Sequence, residues 1–339
     1  MKPHQAPLTE TQRDTPIELS LVICTFHREA LLAKTLASIC CQQCPSTLSV
    51  RVTVVDNSDE GTAAGVVERF NRDSPFNMRW IPAHPANIAV ARNAGVKAGV
   101  SDYVAFLDDD NEMQPGWLVA VAEAISANSF DVYFGAYEAQ FESPERATAA
   151  ARQVFSRRFD FPAGHELFVM GPHQCRDSTL GTNNSIFRRD TLPMDPAPFD
   201  LAFGHGGGED YDLLCRMQRD GRSFGWLPGA VAHEFVPTSR CDPAYLRRRF
   251  FVGGQTFAAG VAGSSARPRA RRWWLRFKAV VQAVVLSARL PIEAWRGGDA
   301  FLDYSYRFAG VLGKMSFGEV FPIYRRAAAA RDVRSGGAV

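Results

Sequence analysis

The sequence predicts an α/β protein: a three-layer α/β/α sandwich on a mainly parallel sheet, with a helical extension at the C-terminus. Two observations point there. Short apolar runs rich in branched residues alternate with segments of helical period from residue 17 to residue 108, and beyond residue 240 the chain becomes basic and aromatic. A nearly unbroken apolar run reads as a strand covered on both faces, and strands alternating with helices imply parallel pairing.

Leu19 to Thr25 (LSLVICT) is the first such run. A helix follows over Glu29 to Cys41, where Leu31, Leu32, Thr35, Leu36 and Ile39 recur at three- and four-residue spacing. Val50 to Asp56 is the second strand, Thr62 to Phe70 a helix, Met78 to Ile81 a short strand, Ile88 to Ala98 a helix and Tyr103 to Asp108 the fourth strand. The rhythm then loosens into a helix near Trp117 to Ala127, a strand near Val132 to Ala136 and an irregular, proline-containing stretch up to about Pro198. A glycine-rich loop, Phe203 to Gly208, leads into a helix at Glu209 to Arg219, and Phe224 to Glu234 reads as a final strand pair. No internal repeat is visible. The expected organisation is a flexible tail over 1–16, a catalytic domain over 17–240, a basic helical region over 241–328 and a flexible tail over 329–339.

A chain of 339 residues, 46% hydrophobic and 22% charged, can bury a large core. Its formal net charge of +2 hides an asymmetry: residues 241–330 carry 15 Lys and Arg against 5 Asp and Glu, so the remainder is acidic. A basic tail on an acidic body points to an anionic surface as the tail's partner. Seven scattered cysteines, an odd number, argue against a disulfide framework and for a reducing compartment. Cys41-Gln-Gln-Cys44 has redox or zinc spacing but no second pair nearby, so burial at a helix end is expected. The polar stretch Met1 to Pro16 has no apolar core of a signal peptide, and a cytoplasmic body is expected.

In open α/β sheets, ligands bind beyond the carboxyl ends of the strands. Four polar groups fall there: Thr25-Phe26-His27-Arg28, Asp56-Asn57-Ser58, Arg92-Asn93 and Asp108-Asp109-Asp110. No strand is followed by G-x-G-x-x-G or by a P-loop, which disfavours a dinucleotide-dependent dehydrogenase and a P-loop NTPase. Three consecutive carboxylates at a buried strand end repel one another unless a cation neutralises them. Mg²⁺ or Mn²⁺ on one or two carboxylates, completed by diphosphate oxygens and water, does this; the plain alternative is a solvated acidic turn.

The motifs VICTFHRE, VVDNS, N-x-A-x-ARNAG, FLDDD, GTNNSIFRR and GGEDYDL, in this order over residues 17 to 240, resemble family 2 glycosyltransferases of the GT-A nucleotide-diphospho-sugar transferase fold. The run from His205 to Phe257 is similar to bacterial exopolysaccharide glucosyltransferases of the succinoglycan type. The resemblance implies an inverting hexosyltransferase that uses a UDP-sugar, glucose foremost, and a lipid-linked saccharide acceptor. It implies that Thr25 and Phe26 line the nucleotide pocket, with Arg28 beside them or solvated at a helix start. Asp56 would bind the base, Arg92 would flank the nucleotide, Asp108 would contact the ribose side with Asp109 in support, and Asp110 would ligate the metal.

The loop Gly206-Gly207-Gly208-Glu209-Asp210 is the second chemical site. Glycines let a ligand approach the backbone, and acids at a helix start are favoured by its dipole. Inversion needs one base for the acceptor hydroxyl proton. By the resemblance that base is Asp210, with Glu209, Gly207 and Gly208 at the acceptor. The resemblance also offers His233 as a third metal ligand, against a structural histidine, and places Asn183 and Asn184 near donor sugar and acceptor, against an ordinary polar turn.

The C-terminal region interleaves Arg267, Arg269, Arg271, Arg272, Arg276 and Lys278 with Trp273 and Trp274 before the apolar run AVVQAVVLSA. That run spans 279–288, half the ~20 residues a bilayer-crossing helix needs. It reads as an interfacial helix on an anionic leaflet, peripheral on the inner face of the plasma membrane, against a helix packed on the catalytic domain. No nucleic-acid motif accompanies the charge. Two other functions stay open: a sugar nucleotidyltransferase, whose glycine-rich loop CTFHRE lacks, and a non-catalytic sugar-binding scaffold.

Overall fold

The computed structural model describes residues 15–175, 180–316 and 320–322. The expected tail at 329–339 and most of that at 1–16 lie outside the described residues. In chain order the elements are β1 (Ile17–Thr25), α1 (Glu29–Cys40), β2 (Leu48–Asp56), α2 (Ala64–Asp73), β3 (Asn77–Pro82), α3 (Ile88–Lys97), β4 (Tyr103–Asp108), β5 (Asn111–Met113) and α4 (Trp117–Ala127). Then come β6 (Val132–Phe141), α5 (Ala149–Val154), β7 (Ser185–Arg188), α6 (Glu209–Arg219), β8 (Phe224–Val236), α7 (Pro243–Gly263), α8 (Pro268–Arg296) and α9 (Gly298–Met315).

The strands form one eight-stranded sheet in the order β3-β2-β1-β4-β7-β6-β8-β5. The first four are parallel, as the sequence implies, with Thr25 beside Asp56 and Cys24 beside Asp108. Register therefore brings the expected polar ends together at one edge. β7 enters antiparallel to β4 and β6, and β5 antiparallel to β8.

Alternation divides the core between the two faces. Leu21 and Ile23 of β1 pack with Leu32, Leu36 and Ile39 of α1 and with Trp117 of α4, while Val22 faces Ala89 and Ala91 of α3 and Leu213 and Leu214 of α6.

Three expectations are corrected. Phe224 to Glu234 is one strand, not a pair: Pro228-Gly229 interrupts the pairing with β6, which shifts register between Gly135 and Tyr137, but the strand runs on. The second helix begins at Ala64 rather than Thr62, because Gly61 is left-handed and the Asp56 carboxylate accepts from the Ala63 N–H. Cys41 and Cys44 are exposed rather than buried, since α1 ends at Cys40 and the chain turns outward. Packing is continuous across residue 240. Ala258, Val261 and Ala262 of α7 and Leu275 of α8 belong to the core that includes the sheet.

Candidate active site

The site is built where β1, β2, β4 and the start of α6 meet. Asp109 is the best held of the three strand-end acids: the Thr25 hydroxyl donates to Oδ2 at 2.7 Å and Arg28 Nη1 to Oδ1 at 2.9 Å. Burial nonetheless pushes its carboxyl up to about 6, against the pull of Arg28. Asp110 takes Arg28 at 3.0 Å and Arg240 at 3.3 Å on its Oδ2. Asp108, with a side chain 43% exposed, is the open member, and Arg92 stands 3.8 Å from it.

Arg92 joins two half-sites. It is buried, and besides Asp108 its guanidinium is ion-paired to Glu209 at the start of α6. Burial pushes the Glu209 carboxyl up to about 7 although Arg92 opposes the shift, and its Oε2 has no protein partner. Asp210 follows at the helix start: its Oδ1 accepts from the Tyr211 N–H at 2.6 Å, and a Cβ on Gly181 would stand 2.6 Å from its Oδ2.

Several side chains are engaged differently from expectation. Asp56 is fully buried, and Ser58 N–H and hydroxyl, Ala63 N–H and the Trp80 indole donate to its carboxylate. Burial would raise its pKa, but these donors hold it below the ordinary value. They fill the lone-pair directions of a carboxylate, so a nucleotide base would have to displace one of them. Phe26 is left at the mouth, 36% exposed and edge-on to His27.

Arg28 is paired through Nη1 to Asp109 and Asp110 while its side chain stays 37% exposed. Asn184 is spoken for: its amide accepts from Trp117 Nε1 at 2.8 Å and donates to Ala136 O at 2.6 Å and Ala230 O at 2.8 Å. It pins the sheet and offers a sugar no free polar atom. Asn183 stays at the site, its Oδ1 accepting from the Asp108 N–H at 3.3 Å. The glycine loop serves the protein's own packing. Gly207 and Gly208 are left-handed at φ 78° and 105°, and a Cβ on Gly208 would come 2.6 Å from Thr256 Cβ of α7.

His233 lies 2.6 Å through Nδ1 from Gln140 Nε2. Strand alternation turns its neighbour Glu234 the other way, and it is Glu234 that shares Arg240 with Asp110. Burial and the Asp110 charge push the Glu234 carboxyl up to about 8. Sequence reasoning missed Glu234 and Arg240. The fully buried Arg157 was also missed, because it lies in the irregular stretch with no motif around it.

Among the described residues no group of three or more His, Cys, Asp or Glu is placed to hold a metal ion. A divalent ion shared with a diphosphate needs only one or two protein carboxylates. Asp108 is an open hard oxygen donor of that kind, whereas Asp110, 4% exposed, has Oδ2 held by Arg28 and Arg240 and Oδ1 accepting from Asn111 Nδ2 at 3.2 Å, so a metal would have to displace one of these partners. Asp108, Asp109, Asp110, Glu209 and Glu234 face the three guanidinium groups of Arg28, Arg92 and Arg240, so the cluster has more acids than cations. The residues fit Mg²⁺ or Mn²⁺.

The profile of Glycosyl transferase family 2 matches residues 20–185. The succinoglycan biosynthesis protein ExoM of Rhizobium meliloti (strain 1021) is 30% identical over 240 residues, covering 71% of this chain and 74% of that protein. The chain belongs to glycosyl transferase family 2.

Chondroitin synthase of Escherichia coli is 25% identical over 256 residues, which covers 66% of this chain but only 35% of that longer protein. S. aureus TarS, residues 1–349, solved in complex with UDP-GlcNAc, superposes with a TM-score of 0.54 at 18% identity, covering 76% of this chain and 70% of that one. A likeness at that identity shows the fold, which is GT-A. The family profile ends at residue 185, so the α6 acids, β8 and helices α7 to α9 lie beyond it.

Proposed function

We propose that this family 2 glycosyltransferase inverts configuration while moving a hexose, glucose foremost, from a UDP-sugar to a lipid-linked saccharide in exopolysaccharide or other cell-surface polysaccharide synthesis. The observation that carries the reading is the buried Arg92, ion-paired on one side to Asp108 and on the other to Glu209, so that the strand-end acids and the helix-start acids adjoin one guanidinium. The complex of TarS with UDP-GlcNAc and the likeness to ExoM support the donor class and the polymer.

In this reading Asp210 takes the proton of the acceptor hydroxyl as its oxygen bonds to the anomeric carbon, and the bond to the diphosphate breaks with its electron pair leaving on UDP. Asp108 and Asp110 would hold Mg²⁺ or Mn²⁺, which when bound offsets the charge of the departing diphosphate. Asn183, hydrogen-bonded to the Asp108 backbone, borders the sugar, and Phe26 and the β1 end border the nucleotide.

The acceptor reading rests on α8. Trp273, Phe277, Val281, Val284, Val285 and Trp295 are exposed, Val284 at 65% and Trp295 at 88%, and Arg267, Arg269, Arg271, Lys278 and Arg289 are exposed beside them. No helix among the described residues is long and apolar enough to cross a membrane. An apolar stripe edged by arginines and tryptophans suits the interface of an anionic bilayer, where it brings the cleft to a lipid-linked acceptor at the cytoplasmic face.

UDP release from a panel of UDP-sugars, with and without lipid-linked saccharide and with Mn²⁺ or EDTA, tests the reading. Release that needs the acceptor and Mn²⁺ is expected. Binding of a UDP-sugar without acceptor-dependent release would mark a scaffold instead.

A further inference from the structure

Among the described residues Arg157 is the largest fully buried charged side chain, and no ion pair to a carboxylate is formed by it there. Its fork donates instead to backbone: Nε to Gly135 O at 2.9 Å, Nη1 to Gly181 O at 3.1 Å and Nη2 to Asn183 O at 2.6 Å, with Asn184 O and Ser185 Oγ also in reach. The rings of Phe134 and Tyr137 lie 5.0 Å from the guanidinium. Its own backbone is fastened to Tyr137 by a pair of hydrogen bonds at 2.8 and 3.1 Å.

The turn it grips is the part of the molecule that touches both half-sites. Gly181 lies against Asp210 Oδ2, closely enough that a methyl there would stand 2.6 Å from the carboxylate. Two residues on, Asn183 accepts from the Asp108 N–H at 3.3 Å and its amide donates to Asn111 Oδ1 at 3.4 Å. Ser185 closes the turn from below, donating to Gly181 O at 2.7 Å.

Burying a cation without an ion-pair partner is costly, and a sequence that needed only to fill this space would use an apolar side chain. What an arginine supplies is five donors in a rigid plane, enough to hold carbonyls of β6 and of the turn at once. Burial pulls the guanidinium down to about 10, opposed by Tyr137, Asp210 and Asp108, so the charge is not locally cancelled.

We infer that Arg157 is a positioning residue that fixes the Gly181–Ser185 turn, and through it sets the Asp210 carboxylate against the Asp108 end of the donor site. The inference rests on the proposal that Asp210 is the base only for the acceptor side of the turn; the donor side stands on Asn183 and Asp108.

The test compares Arg157→Lys, which keeps the charge and loses the fork, with Arg157→Met, which loses both, and with Ser185→Ala, which removes one acceptor and leaves the arginine. For each, thermal midpoint, UDP affinity with Mn²⁺, and kcat and KM for the acceptor are measured on the full chain. For Arg157→Lys the expected result is UDP affinity within about threefold of the parent and kcat down by roughly 100-fold, the size of loss that a displacement near 1 Å brings. Ser185→Ala should lose about tenfold in kcat along the same pattern, and keeps the test decisive if both Arg157 variants fail to fold. Parent-like kcat in a folded Arg157→Lys or in Ser185→Ala overturns the inference. So does a fall in kcat that only follows loss of folded protein and of UDP affinity, which is what a merely structural arginine would give. Asp210→Asn is measured in parallel: if it keeps full activity while Arg157→Lys loses kcat, the base assignment fails and the positioning of the donor side survives.

Discussion

The two halves of the sheet make their sites by different means. In β3-β2-β1-β4 each polar group sits at the end of its own strand, and parallel register alone brings Thr25, Asp56 and Asp108 side by side. In the half formed by β7, β6, β8 and β5 the strands are mixed in direction, and the groups that matter arrive from the chain between them: Arg157, Gly181, Asn183, the start of α6 and Arg240 beyond β8. A site read off strand ends is local in sequence. One assembled across a mixed sheet depends on contacts between residues far apart in the chain, such as Arg92 and Glu209, separated by 117 residues.

The sharpest way to break that comparison is to remove the acid assigned to the second half. Asp210→Asn keeps the shape of the helix start and takes away the proton acceptor, so kcat should fall by about 10²–10⁴-fold with the KM for UDP-sugar little changed. Steady-state kinetics with the lipid-linked acceptor read this out. A loss below about tenfold would mean that the second half holds no base.

Next in size is the link between the halves. Arg92→Met leaves Glu209 buried without its cation, and breaking a buried pair by deleting one member costs about 3–5 kcal/mol. Urea unfolding measures it. Arg92→Met with Glu209→Gln should recover most of that loss, because the stranded charge is gone. If the double variant is no more stable than the single one, Arg92 contributes through packing and the coupling of the halves is weaker than the ion pair suggests.

The difference between the halves also sets what was legible. The strand-and-helix order up to Asp108 could be read because each apolar run and each helical repeat is a local pattern, and β4 indeed ends at Asp108, beside Cys24 of β1. The fate of individual side chains could not. Asp56 and Asn184 look like ligands in a motif, yet every polar atom of the Asn184 amide is used by Trp117, Ala136 and Ala230, and spacing carries no information about such distant partners. His233 and Glu234 differ by one position, and only the pairing of β8 decides which shares a guanidinium with Asp110. Arg157 had no signal at all. A lone arginine in an irregular stretch reads as solvated, and its burial follows from the turn that closes over it.

A smaller effect tests the packing of the glycine loop. Gly208 needs its left-handed φ of 105° and sits against Thr256, so Gly208→Ala should destabilise by about 1–3 kcal/mol from backbone strain plus overlap. Combining it with Thr256→Ala separates the two, since only the overlap is relieved. Full rescue in urea unfolding would show that packing against α7, not backbone conformation, keeps a glycine there.

The smallest effect on the fold and the clearest on location is expected at α8. Its inner side is held by buried Leu275 and Ala279, whereas Trp273 and Val284 are 62% and 65% exposed. Trp273→Ser with Val284→Ser should therefore leave the thermal midpoint and the release of UDP to a short soluble acceptor unchanged. Each side chain that no longer inserts forfeits about 1.5–3 kcal/mol of burial if fully withdrawn from water, and less at a headgroup interface, so co-sedimentation with anionic phospholipid vesicles should fall by at least about tenfold. High salt separates the contributions of stripe and charge: at about 1 M the screening length shrinks to ~3 Å, which should release the arginine-held fraction and leave what the tryptophans hold. Vesicle binding that survives both the double serine variant and high salt would mean that α8 is not the membrane face.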